Sequence, residues 1–112
     1  MLYGLSPLET LFVLCVLHAV VDYGLSTEYV AFAKSHKRSE GKGVWPFVLL
    51  AHSLMHGGAV FFATGNIFFG CGETVLHAIT DYLKSDGKIS YGIDQAIHYA
   101  TKVLWVILLI VL

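Results

Sequence analysis

Residues 103–112 read VLWVILLIVL, an unbroken apolar run with no charge, glycine or proline in it. Extended back to residue 90, the segment reaches the about 20 residues that a helix needs to cross the hydrocarbon core of a bilayer. Three more apolar stretches precede it, at about residues 5–25, 44–64 and 67–84, the third being shorter and more polar. Lipid offers no partner to a free backbone N–H or C=O, so helices are the default, and four strands cannot close a barrel. The expected fold is all-α, a four-span transmembrane helical bundle in which residues 1–112 form a single integral membrane domain.

Composition excludes the main alternatives. Of 112 residues, 56% are hydrophobic and 13% charged, with a mean hydropathy of +0.70. An average soluble domain carries roughly 25% charged residues with which to cover its surface. A net charge of −1 and a pI near 6.6 leave no basic footprint for nucleic acid. Two cysteines, Cys15 and Cys71, make no disulfide framework.

Turn chemistry supports the division into spans. Pro7 and Pro46 suit the first turn of a helix, and Trp45 suits a membrane interface. Thr64-Gly65-Asn66 and Ser85-Asp86-Gly87-Lys88 are tight-turn signals. Gly57, Gly58, Gly70 and Gly72 are read as sites of close helix approach. The long connection, residues 26–43, begins with TEYVAFAKSHKR, which places Tyr29, Phe32 and Ala33 on one face and Lys34, Lys37 and Arg38 towards the other. It reads as a short amphipathic interfacial helix followed by a flexible Ser-Glu-Gly-Lys-Gly link, with His36 solvated. Lys34, Lys37, Arg38 and Lys42 in this connection, and Lys84 and Lys88 around the last turn, put both on the cytoplasmic side. The expected location is the bacterial inner membrane, multi-pass, with both termini non-cytoplasmic. His18 and Asp22 within the first apolar stretch, and the lack of a basic segment before it, argue against a cleaved signal peptide.

The chemistry lies in polar residues inside the spans. Each span holds an i, i+4 pair: His18/Asp22, His52/His56, His77/Asp81 and Asp94/His98. This spacing puts both side chains on one helix face, one turn apart. Chance would supply roughly 0.7 such pairs in a chain of this composition. Measured from the basic connections, Asp22, Asp81 and Asp94 lie about four residues deep, His18, His52, His77 and His98 about eight, and His56 about twelve. Histidines from four helices then share a level roughly 10–12 Å below the surface.

Five imidazoles and three carboxylates converging in a bundle core suit a divalent transition metal, zinc first, with iron or manganese behind it. Eight groups exceed the needs of one tetrahedral ion and suit two. The bland alternative is interhelix hydrogen bonding, worth about 0.6–2 kcal/mol per contact; eight ionisable groups are costly glue. Glu73 and Lys102 lie at similar depth and can form a buried ion pair; alternatively Glu73 is a catalytic general base. Lys34 and Lys84, at the mouth of the site, can bind a substrate phosphate or serve only as topology signals.

The motifs H-x3-D, H-x3-H, H-x3-D-x-x-K and D-x3-H, carried by HAVVDYGLSTEYVAFAKSHK (18–37), LLAHSLMHG (49–57), LHAITDYLK (76–84) and IDQAIHYA (93–100), resemble the domain-of-unknown-function 3307 family. The resemblance covers nearly the whole chain and implies a small multi-pass membrane protein of bacteria and their phages, with no established activity. Val21 departs from the family's usual glycine and Ser26 from its usual glutamine. The H-x3-D pairs are also similar, at the level of the site alone, to those of zinc-dependent phospholipase C, related zinc nucleases and membrane-bound metal-dependent hydrolases.

The preferred reading is a metal-dependent hydrolase acting on a lipid-linked phosphoester. His18, Asp22, His52, His56, His77, Asp81, Asp94 and His98 would bind metal, Glu73 would be catalytic, and Lys34 and Lys84 would bind substrate. The first rival is a small metal-ion or proton translocator, although the polar stripes end near mid-membrane. The second is a phage accessory protein acting on a host membrane partner. Expected partners are membrane lipid, a second copy of the chain or a host membrane protein, and no nucleic acid.

Overall fold

Of the five α-helices in residues 2–112, four start where the sequence supplies a side-chain cap, and the fifth where it supplies a proline. The computed structural model describes residues 2–112. Helix α1 (Pro7–Ala19) opens with a reciprocal capping box: Ser6 Oγ accepts from the Glu9 N–H, and Glu9 Oε1 accepts from the Ser6 N–H. It continues through one π turn (Val20–Gly24), closed by the Leu25 N–H on the Val20 carbonyl at 2.8 Å. The short α2 (Glu28–Ala33) is capped by Thr27, and α3 (Trp45–Thr64) carries Pro46 in its first turn. Gly65 ends α3 in the left-handed region (φ 70), and Asn66 Oδ1 at once caps α4 (Ile67–Ser85). Ser90 caps α5 (Tyr91–Val111).

The chain is all-α, with no strand among the described residues. Three segments, Pro7–Gly24, Trp45–Thr64 and Tyr91–Val111, are long and apolar enough to cross a membrane. Helix α4 is long enough but carries Glu73, Asp81 and Lys84. The bundle measures 45 × 22 × 22 Å, and α3 and α4 form its most extensive pair.

Inside and outside are inverted relative to a soluble protein. Among the described residues, fifteen polar or charged residues are buried against nine hydrophobic ones, while thirty large apolar side chains face outward. The apolar core is small and lies at the end of the bundle bearing the 65–66 turn, built from Leu14, Val60, Ala63, Phe69, Trp105 and Val106. The opposite half of the interior is polar. Such a surface is stable where lipid surrounds it.

The connection between α1 and α3 departs from expectation. The amphipathic helix ends at Ala33 rather than running to Arg38, and Lys34 is buried instead of facing outward. The Ser39–Gly41 stretch is a packed 3-10 turn: a Cβ on Gly41 would lie 2.1 Å from the Ser35 carbonyl oxygen, so only glycine fits. His36 is not solvated. Its ring stacks on Tyr82 (4.2 Å between centroids), and its Nε2 lies 3.0 Å from Asp86 Oδ1. His36 and then Lys88, 3.1 Å from Oδ2, hold the Asp86 carboxyl down at about 2. The two basic connections therefore touch at one end of the bundle, through Asp86.

Candidate metal centre

All four i, i+4 pairs turn inward. The five imidazoles of His18, His52, His56, His77 and His98 are buried, as are Asp81 and Asp94, and Asp22 is nearly so. The rings form one cluster. His56 stacks on His77 at 3.7 Å between centroids, and His77 stacks on His98 at 4.2 Å. His52 lies 5.0 Å from His77, and His18 lies 5.1 Å from His56 and 5.2 Å from His98. His56, expected one turn deeper than the others, belongs to the same cluster.

Glycines make this approach possible. A Cβ at Gly57 would lie 2.5 Å from the Gly70 carbonyl oxygen, and one at Gly70 would lie 2.9 Å from that of Gly57. The α3 and α4 backbones thus meet one residue from His56. Gly72 similarly admits the Trp105 indole, at 2.8 Å from its would-be Cβ. Gly58, by contrast, faces open space.

Asp22 lies in the π turn, a feature frequent at functional sites because it re-aims side chains within a helix. Its Oδ1 accepts from His52 Nε2 at 3.1 Å and from His56 Nε2 at 3.3 Å. Its Oδ2 accepts from Gln95 Nε2 at 2.8 Å and lies 3.6 Å from His18 Nε2. Asp81 is the other hub. Lys34 Nζ donates to its Oδ2 at 2.7 Å, Lys84 Nζ lies 3.2 Å from its Oδ1, and His77 and His52 Nε2 lie 3.7 and 3.9 Å from Oδ2. Asp94 Oδ1 is 3.2 Å from His98 Nε2, and its Oδ2 is 3.7 Å from Lys84 Nζ. Both lysines therefore stand at the mouth of the site.

Ligand atoms of Asp22, His52, His56 and His77 all lie within 4.8 Å of one another, and so do those of Glu73, His77 and His98. His77 belongs to both groups. Both of its ring nitrogens are buried without a hydrogen-bond partner, as is His18 Nδ1, while Asp81 Oδ1 and Asp94 Oδ1 have only the ion-pair contacts of Lys84 and His98, each at 3.2 Å. Buried nitrogens and carboxylate oxygens are normally paired, so this many orphans in one cluster need an explanation. These residues can hold a metal ion. No family model, curated protein or solved structure matches the chain.

Of the eight expected ligands, Asp22, His52, His56, His77 and His98 fall in the two compact groups. His18, Asp81 and Asp94 border them and bond Gln95, the two lysines and His98. Glu73 forms the anticipated ion pair, with Lys102 Nζ donating at 2.6 Å; the Trp105 indole N–H donates to its other oxygen, also at 2.6 Å. Gln95 is a site residue that the face argument passes over: it bonds His18, Asp22 and Asp94 together. Its position beside Asp94, about 100° round the helix, placed it off the stripe, but its long side chain reaches back.

Proposed function

We infer that this is a four-span membrane protein of the bacterial inner membrane, with α4 as the third span and both termini non-cytoplasmic, that carries a divalent transition metal in its His/Asp centre. Zinc is the leading choice, and membership of the domain-of-unknown-function 3307 family goes with this reading. The observation that carries it is the fully buried His77, with both ring nitrogens unpartnered at the meeting point of two donor groups. Imidazole nitrogen and carboxylate oxygen together form a donor set for zinc, iron or manganese. His52 and His56 now direct Nε2–H at Asp22; a cation between them would take the place of those protons.

The reaction proposed is hydrolysis of a lipid-linked phosphoester. A bound divalent ion supplies Lewis acidity and a water acidified towards neutral pH. Lys34 and Lys84 would hold the phosphate, releasing part of their hold on Asp81. Lipid is favoured by a groove of about 310 Å3 between α2 and α3 whose walls include Leu25, Val30, Phe47, Val48 and Met55. His52 lines this groove, so an apolar chain lying in it would bring its head group to the centre. Glu73, both of whose oxygens are bonded, is better suited to holding α4 and α5 together than to taking a proton.

The test is metal content by mass spectrometry on protein purified in detergent without chelators, beside a His52→Ala/His77→Ala double variant. The expected result is bound transition metal in the native protein, lost in the variant, with hydrolysis of a long-chain alkyl phosphate requiring that metal. Absence of metal after purification and after reconstitution would overturn the centre. Metal without hydrolysis of any lipid phosphate would overturn the reaction and turn attention to ion flux in liposomes.

A further inference from the structure

The second donor group contains its own cation. Lys102 is the largest fully buried side chain among the described residues, and its ammonium lies 2.6 Å from Glu73 Oε1, 3.1 Å from the His98 carbonyl oxygen and 3.4 Å from Thr101 Oγ1. Every one of these partners belongs to, or adjoins, the Glu73/His77/His98 group. The Trp105 indole occupies the other Glu73 oxygen and is pinned there by close packing on Gly72 and a 5.2 Å stack with Phe69. A divalent ion ligated by Glu73 would have to share its carboxylate with this ammonium, and like charges at such separation repel strongly away from water. The first group, Asp22/His52/His56/His77, has no such competitor: its carboxylate is contacted by imidazoles and an amide.

We propose that Lys102 is the resident cation of the Glu73/His77/His98 position, so that a donor set with room for two ions takes one metal, at Asp22/His52/His56/His77. This rests on the metal reading and deepens it. The lysine closes the inner position while leaving the outer one, nearer Lys34 and the groove, for the metal. His98 then serves as a neighbour of the metal site and not as a ligand to it.

Zinc stoichiometry on the intact protein in detergent tests this. The native chain should bind one equivalent. Lys102→Met, which frees the Glu73 carboxylate, should bind two, and Lys102→Met/Glu73→Gln, a neutral pair, should return to one. In the otherwise native protein His98→Gln should keep its zinc, with affinity changed less than tenfold, whereas His56→Ala should lose it. Two equivalents in the native chain would overturn the proposal, as would one equivalent in a Lys102→Met variant of native helicity. If Lys102→Met does not fold, the His98 arm decides: loss of zinc equal to that of His56→Ala refutes the assignment. Zinc absent from the native protein would sink the metal reading itself, and this proposal with it.

Discussion

Gly57→Ala isolates the packing on which the site depends. The added methyl would sit 1.8 Å from Thr74 Oγ1 and 2.5 Å from the Gly70 carbonyl oxygen. Thr74 can rotate, at the expense of its own 2.9 Å bond to that carbonyl, worth about 1 kcal/mol. The Gly70 oxygen is backbone and cannot step aside. Restoring an ordinary contact of 3.4 Å from 2.5 Å requires α3 and α4 to part by roughly 0.9 Å. Overpacking of this kind destabilises by about 1–3 kcal/mol. The gain in helix propensity from replacing glycine offsets about 1 kcal/mol, so the net expectation is a loss of about 1–3 kcal/mol. Gly58→Ala is the control, because its methyl meets nothing within 4 Å and should leave stability unchanged or raise it by up to about 1 kcal/mol. Unfolding in mixed micelles, followed by circular dichroism, measures both. Parting the helices also pulls His56 from its 3.7 Å stack on His77, so Gly57→Ala should bind zinc at least tenfold more weakly. If Gly57→Ala is as stable as Gly58→Ala and holds its zinc equally well, the close-approach argument is wrong.

Four other outcomes are expected. Asp22→Asn places an amide N–H2 where an oxygen now accepts from imidazoles or from Gln95, so it should lower stability by about 2–4 kcal/mol and zinc affinity by about 100-fold, read by micelle unfolding and competition with a chromogenic chelator. A strong chelator should lower the native unfolding midpoint, by about 2.7 kcal/mol of stability if zinc had stood at a hundred times its Kd, and should leave His52→Ala/His77→Ala unmoved. The Asp86 carboxyl is held below its ordinary range, at about 2, so the pairing stabilises the fold above about pH 4 and is lost as pH falls towards 2. Trp45 lies 5.5 Å from His36 and reports that loss by fluorescence, and an Asp86→Asn variant with the same acid profile would refute the assignment. In a background lacking Cys15 and Cys71, Val75→Cys at the middle of α4 should resist a membrane-impermeant maleimide in inside-out vesicles, while Lys37→Cys in the connection should react.

The His/Asp cluster was legible because it obeys a short-range rule. Residues four apart on a helix share a face, so His18/Asp22, His52/His56, His77/Asp81 and Asp94/His98 declare their faces without any knowledge of packing. Counting depth from the basic turns then aligned them across antiparallel helices, and the same count paired Glu73 with Lys102. What stayed hidden depends on departures from regular helix or on reach. Nothing in the residues of Val20–Gly24 announces a π turn, yet that turn brings Asp22 to both His52 and His56. Trp105 reads as one more apolar residue of a membrane run, although its indole N–H carries a polar partner inwards to Glu73. His36 reads as solvated because a polar side chain in a connection defaults to water, whereas Asp86 is a partner that only the tertiary fold brings near; Lys34, expected at the mouth of the site, is buried there against Asp81.

Helix α4 shows how averaged hydropathy treats a helix with one polar stripe. Glu73, His77, Thr80, Asp81 and Lys84 follow one another at spacings of four, three, one and three along a single stripe, while Phe68, Val75, Leu76, Ile79 and Tyr82 occupy the outward face. Under the proposed topology, the mean over such a helix sums a polar stripe turned to the interior with an apolar face turned to lipid. A helix with its polar stripe turned to a shared interior satisfies the bilayer as well as a uniformly apolar one, provided its neighbours bring matching groups. Those neighbours do: Lys102 meets Glu73, Lys34 meets Asp81, and His56 and His98 flank His77 on either side. The residues that make α4 the least apolar helix are thus the ones that give the centre its core. Moving them to any other helix would abolish both groups of donors, because His77 is the one member the two share.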